Sequence, residues 1–78
     1  MRHEELIEIS KLRLENAKKL LETSRALIEM NDYKSSANRS YYAIFNAMRA
    51  CLIMHKIDHK KHSGVISDFR LLFLKSNK

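Results

Sequence analysis

The chain has 78 residues, 45% of them hydrophobic, and its 15 Lys and Arg against 9 Asp and Glu give a formal net charge of +6. This length allows a single domain over residues 1–78, and the lone cysteine, with neither a signal peptide nor a long apolar run, argues against a disulfide-stapled secreted protein and a membrane protein. We therefore expect a cytoplasmic protein, and the positive charge favours RNA or a nucleotide over a membrane surface as the partner.

The first predicted element is an amphipathic helix from about Glu4 to Met30. Its apolar residues recur every seven positions, which predicts about seven helical turns with that stripe facing the core. The residues of the stripe and of its widened edge are Ile7, Leu14, Leu21, Ile28, Ala17, Ser24, Leu6, Leu20 and Leu27. The solvent-exposed face is predicted to carry Lys11, Arg13, Lys18, Lys19 and Arg25.

A short break, "MNDYKSS", follows the first helix. Asn31 and Asp32 are turn formers that can stop one helix and cap the next. Because the break is short, the first two helices are predicted to be antiparallel neighbours.

The second predicted helix runs from about Tyr33 to His55 and carries two stripes. The predicted core stripe consists of Ala37, Tyr41, Ile44, Phe45, Met48, Cys51 and Leu52. The second stripe is more polar and consists of Arg39, Tyr42, Asn46 and Arg49, followed by Ile53. Seven residues make about two helical turns, so Arg39 and Asn46 lie on nearly one line, about 10 Å apart along the axis, with Tyr42 between them.

A connector, "HKIDHKKH" at 55–62, holds three of the four histidines and three lysines. A third helix then begins, with Ser63 as a candidate cap. Its apolar residues are Val65, Ile66, Phe69, Leu71, Leu72, Phe73 and Leu74. One neighbouring helix pair cannot cover that many side chains, and leaving several of them in water costs several kcal/mol at about 25 cal/mol per Å². We therefore expect a homo-oligomer, most simply a dimer, or additional helices to cover this surface.

Two motifs in this order resemble those of the HEPN (higher eukaryotes and prokaryotes nucleotide-binding) domain. They are "ANRSYYAIF" at 37–45 and "HSGVI" at 62–66, within a similarity that extends from about Lys11 to Leu74. The resemblance, closest to the small stand-alone prokaryotic proteins, implies an all-α, antiparallel up-and-down bundle, usually dimeric. The chain matches three long helices of a four-to-five-helix fold, so we expect it to be truncated relative to the family, without the later Arg-x-x-Ala-Asp-Tyr-like element.

The resemblance also implies a function. Small prokaryotic HEPN proteins are often toxins encoded beside a minimal nucleotidyltransferase antitoxin, and active members are metal-independent ribonucleases. Their motif is an Arg followed, after four to six residues, by a His, with two copies meeting across a dimer. The guanidinium holds the scissile phosphate and the imidazole transfers the proton.

This chain departs from that motif. Six residues after Arg39 are followed by Asn46, where the motif would place its histidine. An amide does not accept protons near neutral pH, so we expect impaired catalysis and assign no catalytic residue firmly; the candidates on this helix are Arg39 and Asn46. No metal or other cofactor is expected. The expected RNA- or nucleotide-binding residues are Arg39, Tyr42, Asn46, Arg49, Lys60 and Lys61.

Several alternatives stay open at this point. Arg39 could instead form a salt bridge with Glu22 or Glu29, and the two tyrosines could be core phenols. The chain could be a helical dimerisation module without a nucleic-acid role. It could also be an active metal-independent ribonuclease whose base is another histidine; the possible bases are His55, His59 and His62.

Overall fold

Three helices and their connections make up the part of the chain that the structure describes, residues 2–76 with side chains through residue 74. In this computed structural model α1 spans His3–Glu29, α2 spans Tyr33–Ile53 and α3 spans His62–Ser76. No strand occurs within residues 2–76. The predicted all-α, three-helix fold is confirmed.

The turn between α1 and α2 is formed by the two residues that the sequence singled out. Asn31 adopts a left-handed conformation with φ of 65°, which ends α1 because a continuing helix needs negative φ. The Asp32 side chain then accepts a hydrogen bond from the backbone amide of Ser35 at 3.2 Å and caps α2. The predicted stop and cap are both confirmed.

Helices α1 and α2 pack against each other as antiparallel neighbours through small side chains. The hydroxyl of Ser10 donates to the carbonyl oxygen of Ala50 at 2.9 Å. The hydroxyl of Ser24 donates to the carbonyl oxygen of Ser36 at 3.0 Å. The interface residues recur every seven positions in both helices, as Ser10, Ala17 and Ser24 in α1 and Ser36, Ala43 and Ala50 in α2. Seven residues complete about two turns, so each set forms a straight line of small side chains that lets the two backbones approach closely.

The predicted core stripe of α1 is wrong in its details. Leu14, Leu21 and Ile28 are 50–53% exposed, whereas Leu6, Ala17 and Ser24 are buried. The reason is that α2 seats on the line of small residues, and the large aliphatic side chains lie to one side of that contact.

The same shift changes the predicted core stripe of α2. Ile44 is 57% exposed and Cys51 and Ala37 are also exposed, so the prediction of a core cysteine is wrong. The three exposed residues directly follow the three small interface residues of α2, Ser36, Ala43 and Ala50. Each therefore lies about 100° further around the helix than the contact with α1. Phe45 and Leu52 are buried as predicted.

The small hydrophobic core lies between α2 and α3. It consists of Phe45, Leu52 and Val65, with Met48, Ile57, Phe69 and Leu72 packed against it. The remaining apolar residues of α3 are exposed, namely Ile66, Leu71, Phe73 and Leu74. The prediction that these helices leave apolar surface uncovered therefore holds for the described residues.

The connector begins and ends at residues other than those predicted. Helix α2 ends at Ile53 rather than His55 because Lys56 takes a left-handed conformation with φ of 62°. Helix α3 begins at His62, and the backbone amide of Val65 donates to the carbonyl oxygen of Lys61 at 3.0 Å. Ser63 therefore lies inside the helix, and its predicted role as the cap is wrong.

Candidate functional site

The polar stripe of α2 forms a flank of the helix pair that is exposed at Arg39 and Tyr42 and half-buried at Asn46 and Arg49. Successive helical residues are rotated by about 100°, so Arg39, Tyr42, Asn46 and Arg49 lie within about a quarter-turn of one another. We call these four residues the polar flank. It lies on the opposite side of the α1–α2 contact from Ile44, so α2 has one polar and one apolar exposed side.

Arg39 is exposed at the start of this flank. Within residues 2–76 its guanidinium has no ion pair, and the alternative salt bridges to Glu22 or Glu29 do not form. Its charge is therefore available to an external anion.

Asn46 lies at the edge of a groove between α2 and α1. Its side-chain amide donates to the backbone carbonyl of Tyr42, one turn earlier, at 2.8 Å. The bond commits the amide nitrogen to the helix, while the side-chain oxygen accepts no hydrogen bond from the described residues and so remains available as an acceptor. The residues that line the groove are Asn16, Lys19, Leu20, Thr23 and Asn46. The groove thus offers amides, a hydroxyl and an ammonium group to a polar ligand.

An aromatic cluster joins α2 to the start of α3. The hydroxyl of Tyr41 lies 2.8 Å from His62 Nδ1 and shares a hydrogen bond with it. The imidazole also contacts the rings of Phe45 and Tyr42, with centroids 4.3 and 5.6 Å away. The hydrogen bond ties α2 to the start of α3, and Tyr42 packs against the imidazole while it stays exposed.

Arg49, at the far end of the polar flank, is held by the connector. Its guanidinium donates to Asp58 Oδ1 at 2.9 Å, and Arg13 of α1 donates to the same oxygen at 3.1 Å. The hydrogen bond from Arg49 is the largest of the effects that lower the pKa of Asp58 below its ordinary value; burial opposes it, and the charge and hydrogen bond of Arg13 lower the pKa further. Arg13, predicted on the solvent-exposed face, is instead largely buried in this contact.

The other connector residues are distributed around the start of α3. His59 Nε2 lies 2.9 Å from Asp68 Oδ2, and its ring packs over Gly64, where an added Cβ would come within 3.1 Å of His59 Nδ1. His55, Lys60 and Lys61 are exposed. Lys61 immediately precedes His62, so its backbone lies beside the aromatic cluster.

Sequence reasoning missed Arg13 and Asp58. They are 45 residues apart in the chain, and Arg13 has the spacing of a solvated helix face. The signal that was available is Asp58 itself, the one acidic residue in a connector otherwise rich in lysine and histidine.

Across the described part of the chain, no three His, Cys, Asp or Glu side chains are grouped so that they could hold a metal ion. None of its three helices combines the length and the apolar character that crossing a bilayer requires.

Comparison with known proteins identifies the family. The family model described as "HEPN domain" matches residues 10–78. The chain belongs to the HEPN family. Two proteins of Methanocaldococcus jannaschii, each named "Putative toxin", are 40% identical over 70 residues and 38% identical over 61. A "UPF0332 protein" of Pyrococcus horikoshii is 41% identical over 56 residues.

These alignments cover most of this HEPN chain but only part of each relative. They span 90%, 78% and 72% of the chain, and 47%, 46% and 39% of the three relatives. The chain therefore spans less than half the length of the proteins it resembles. No solved structure matches it.

Proposed function

We propose that this chain is the RNA- or nucleotide-binding HEPN component of a prokaryotic toxin–antitoxin system, paired with a minimal nucleotidyltransferase, and that its catalysis is impaired. Membership of a family whose relatives include proteins named as toxins supports the biological setting. The observation that carries the binding role is the exposed guanidinium of Arg39, which has no ion-pair partner within residues 2–76 and shares a flank with Tyr42 and Asn46.

The polar flank fits a single-stranded ligand. A guanidinium such as that of Arg39 binds a phosphate through two parallel hydrogen bonds. One turn further along, the ring of Tyr42 offers a stacking surface for a base. The free oxygen of Asn46 accepts a hydrogen bond from a ribose hydroxyl or from a base amino group. Lys60 and Lys61 add positive charge at the exposed connector.

Impaired catalysis follows from the chemistry of Asn46. In the motif of active family members this position holds a histidine that transfers a proton. The amide of Asn46 cannot do so, and its nitrogen is already committed to the Tyr42 carbonyl. Binding can therefore persist where cleavage does not.

A second copy of the chain is the proposed cover for the apolar side. We call Leu14, Leu21, Ile28, Ile44 and Cys51 the apolar flank; all are exposed, and each lies just past the small-residue contact on its own helix. Because the helices are antiparallel, these residues face the same side of the pair. Such a contiguous exposed apolar surface promotes aggregation in an isolated chain and is typical of a protein–protein interface.

His62 supports a second candidate function, an active metal-independent ribonuclease. Of the three candidate bases His55, His59 and His62, His62 is the one whose imidazole packs against the ring of Tyr42. The hydroxyl of Tyr41 holds it in place at 2.8 Å, as an orienting group does for a general base. Cleavage of RNA in the presence of EDTA that is lost in His62→Ala would favour this candidate over impaired catalysis.

Binding of a fluorescently labelled single-stranded RNA tests the proposal. Arg39→Ala should weaken binding by roughly tenfold, the loss of one charge-assisted contact of about 1.4 kcal/mol. Arg25→Ala is the matched control, because it removes the same charge from an exposed position on α1 away from the polar flank. Equal binding by the two variants, or no binding by the wild type at low salt, would favour a dimerisation module instead.

A further inference from the structure

Arg13 and Arg49 form a pair of guanidinium groups that share one anionic ligand. They donate to the same oxygen of Asp58, at 3.1 and 2.9 Å. We propose that this arginine pair is a second phosphate-binding site, and that the Asp58 carboxylate occupies it as an internal competitor that an RNA phosphate displaces. The inference rests on the proposed function for the identity of the ligand, but the site itself is defined by the pair.

The hydrogen bonding of the pair is incomplete with a carboxylate in place. A carboxylate that matches a guanidinium in the usual way engages it through both oxygens, whereas here both arginines converge on Oδ1 alone. Arg49 Nε is buried and has no hydrogen-bond partner among the described residues. A phosphate, with more acceptor oxygens and a larger negative charge, can satisfy donors of both guanidinium groups at once.

The cations are fixed more firmly than the anion. Only 15% and 20% of the Arg13 and Arg49 side chains are exposed, against 42% for Asp58. Arg13 also donates to the Arg49 carbonyl oxygen at 3.3 Å, and the Arg49 guanidinium lies 5.9 Å from the centre of the Phe45 ring. The two arginines are therefore positioned by both helices, while the carboxylate comes from the non-helical connector.

The local charge favours an external anion. Two guanidinium groups and one carboxylate leave a surplus of one positive charge, and Lys56 lines the same surface depression as Asp58. Arg49 lies ten residues beyond Arg39 on the polar flank, about 15 Å along the helix axis. One RNA strand of a few nucleotides can therefore contact both arginines, so displacement of Asp58 would extend the binding surface along α2.

If Asp58 competes with phosphate for Arg13 and Arg49, it inhibits RNA binding, and removing its charge tests this. Asp58→Asn should tighten binding of labelled single-stranded RNA by roughly fivefold, since it frees two guanidinium groups for a phosphate. Glu22→Gln is the matched control, because it makes the same change of charge at an exposed position of α1 and should change binding less than twofold. Adding Arg49→Gln to Asp58→Asn should abolish the gain.

A titration with inorganic phosphate separates this inference from the proposed function. In Asp58→Asn, phosphate should shift the NMR signal of the Arg49 Nε–H group, and in the wild type it should do so only at much higher concentration. This result would support the site even if the wild type bound no RNA. Asp58→Ser provides the same readout if the asparagine variant fails to fold. The inference is overturned if Asp58→Asn gains no more than Glu22→Gln, if the gain survives Arg49→Gln, or if phosphate leaves the Arg49 signal unmoved.

Discussion

Ser24 and Ser36 exchange hydrogen bonds across the α1–α2 interface. The hydroxyl of Ser24 donates to the carbonyl oxygen of Ser36 at 3.0 Å, and the hydroxyl of Ser36 donates to the carbonyl oxygen of Ser24 at 2.9 Å. The Ser40 hydroxyl oxygen completes the cluster and lies 2.7 Å from the hydroxyl oxygen of Ser24. Both exchanging serines are buried, so their polar groups are satisfied inside the contact instead of by water. This contact fixes which sides of α1 and α2 remain exposed.

Ser24→Leu should destabilise the chain strongly. The larger side chain cannot fit between the close backbones, and overpacking together with the lost hydrogen bonds should lower the free energy of unfolding by about 3 kcal/mol. Arg25→Leu, the exposed neighbour, should change it by less than about 0.5 kcal/mol. Urea unfolding followed by circular dichroism measures both. Equal stability of the two variants would show that the helices do not pack along the line of small residues.

The contribution of Asp58 to stability should depend on pH in a defined direction. Its pKa in the folded chain lies below the ordinary value of 3.8, so the stabilisation is present above that value and is lost as pH falls through the folded pKa. At neutral pH, Asp58→Asn should cost about 1 kcal/mol, because the carboxylate is partly exposed and screened by solvent.

Below pH 3.8, the ordinary value for Asp58, the difference in unfolding free energy between the wild type and Asp58→Asn should shrink toward zero. Comparing the two proteins at each pH removes the effect of the other carboxylates. A difference that is constant down to strongly acidic pH would contradict the ion pairs with Arg13 and Arg49.

Ile44→Glu should disrupt self-association. The side chain lies on the apolar flank, 57% exposed in a single chain, and a charge there would have to be buried against the second copy. Sedimentation velocity should then show a shift from dimer to monomer. Leu12→Glu is the control, because Leu12 is equally exposed but lies about 160° around α1 from Leu14. A wild type that sediments as a monomer would rule out the proposed cover.

Asn46→His should restore cleavage if impaired catalysis has the proposed cause. An imidazole at this position can transfer the proton that the amide cannot, a contribution of about 10²-fold or more. Cleavage of RNA should appear in the presence of EDTA, and it should disappear again when Arg39→Ala is added. If the Asn46→His variant folds and binds RNA but does not cleave it, the absence of a histidine at position 46 is not the cause of the impaired catalysis.

The sequence predicted the number of helices and the turn, but not which side of each helix is buried. Asn31 and Asp32 have local roles, set by backbone conformation and capping, so their effect was readable from the chain. The core side of α1 could not be predicted in this way, because two sets of residues recur every seven positions. One is the aliphatic set through Leu21, and the other is the set of small residues through Ser24. Only the packing of α2 decides between them.

The candidate site was predictable along one helix and not between elements. Arg39 and Asn46 lie on nearly one line of α2 as their spacing requires. The engagement of Arg49 was not predictable, because it depends on how the connector folds back and brings Asp58 to a residue of α1. Positions related by tertiary contacts leave no periodic signal in a single sequence.

The salt dependence of RNA binding tests the central claim most directly. For the wild type, the logarithm of the binding constant should fall linearly with the logarithm of the salt concentration, because phosphate contacts release counterions. Arg39→Ala should bind more weakly and reduce the slope by about 0.7, the value for one lost contact to a single strand. Arg25→Ala should leave both affinity and slope unchanged. Binding that is insensitive to salt, or identical in the two variants, would contradict the assignment of the polar flank as an RNA-binding surface.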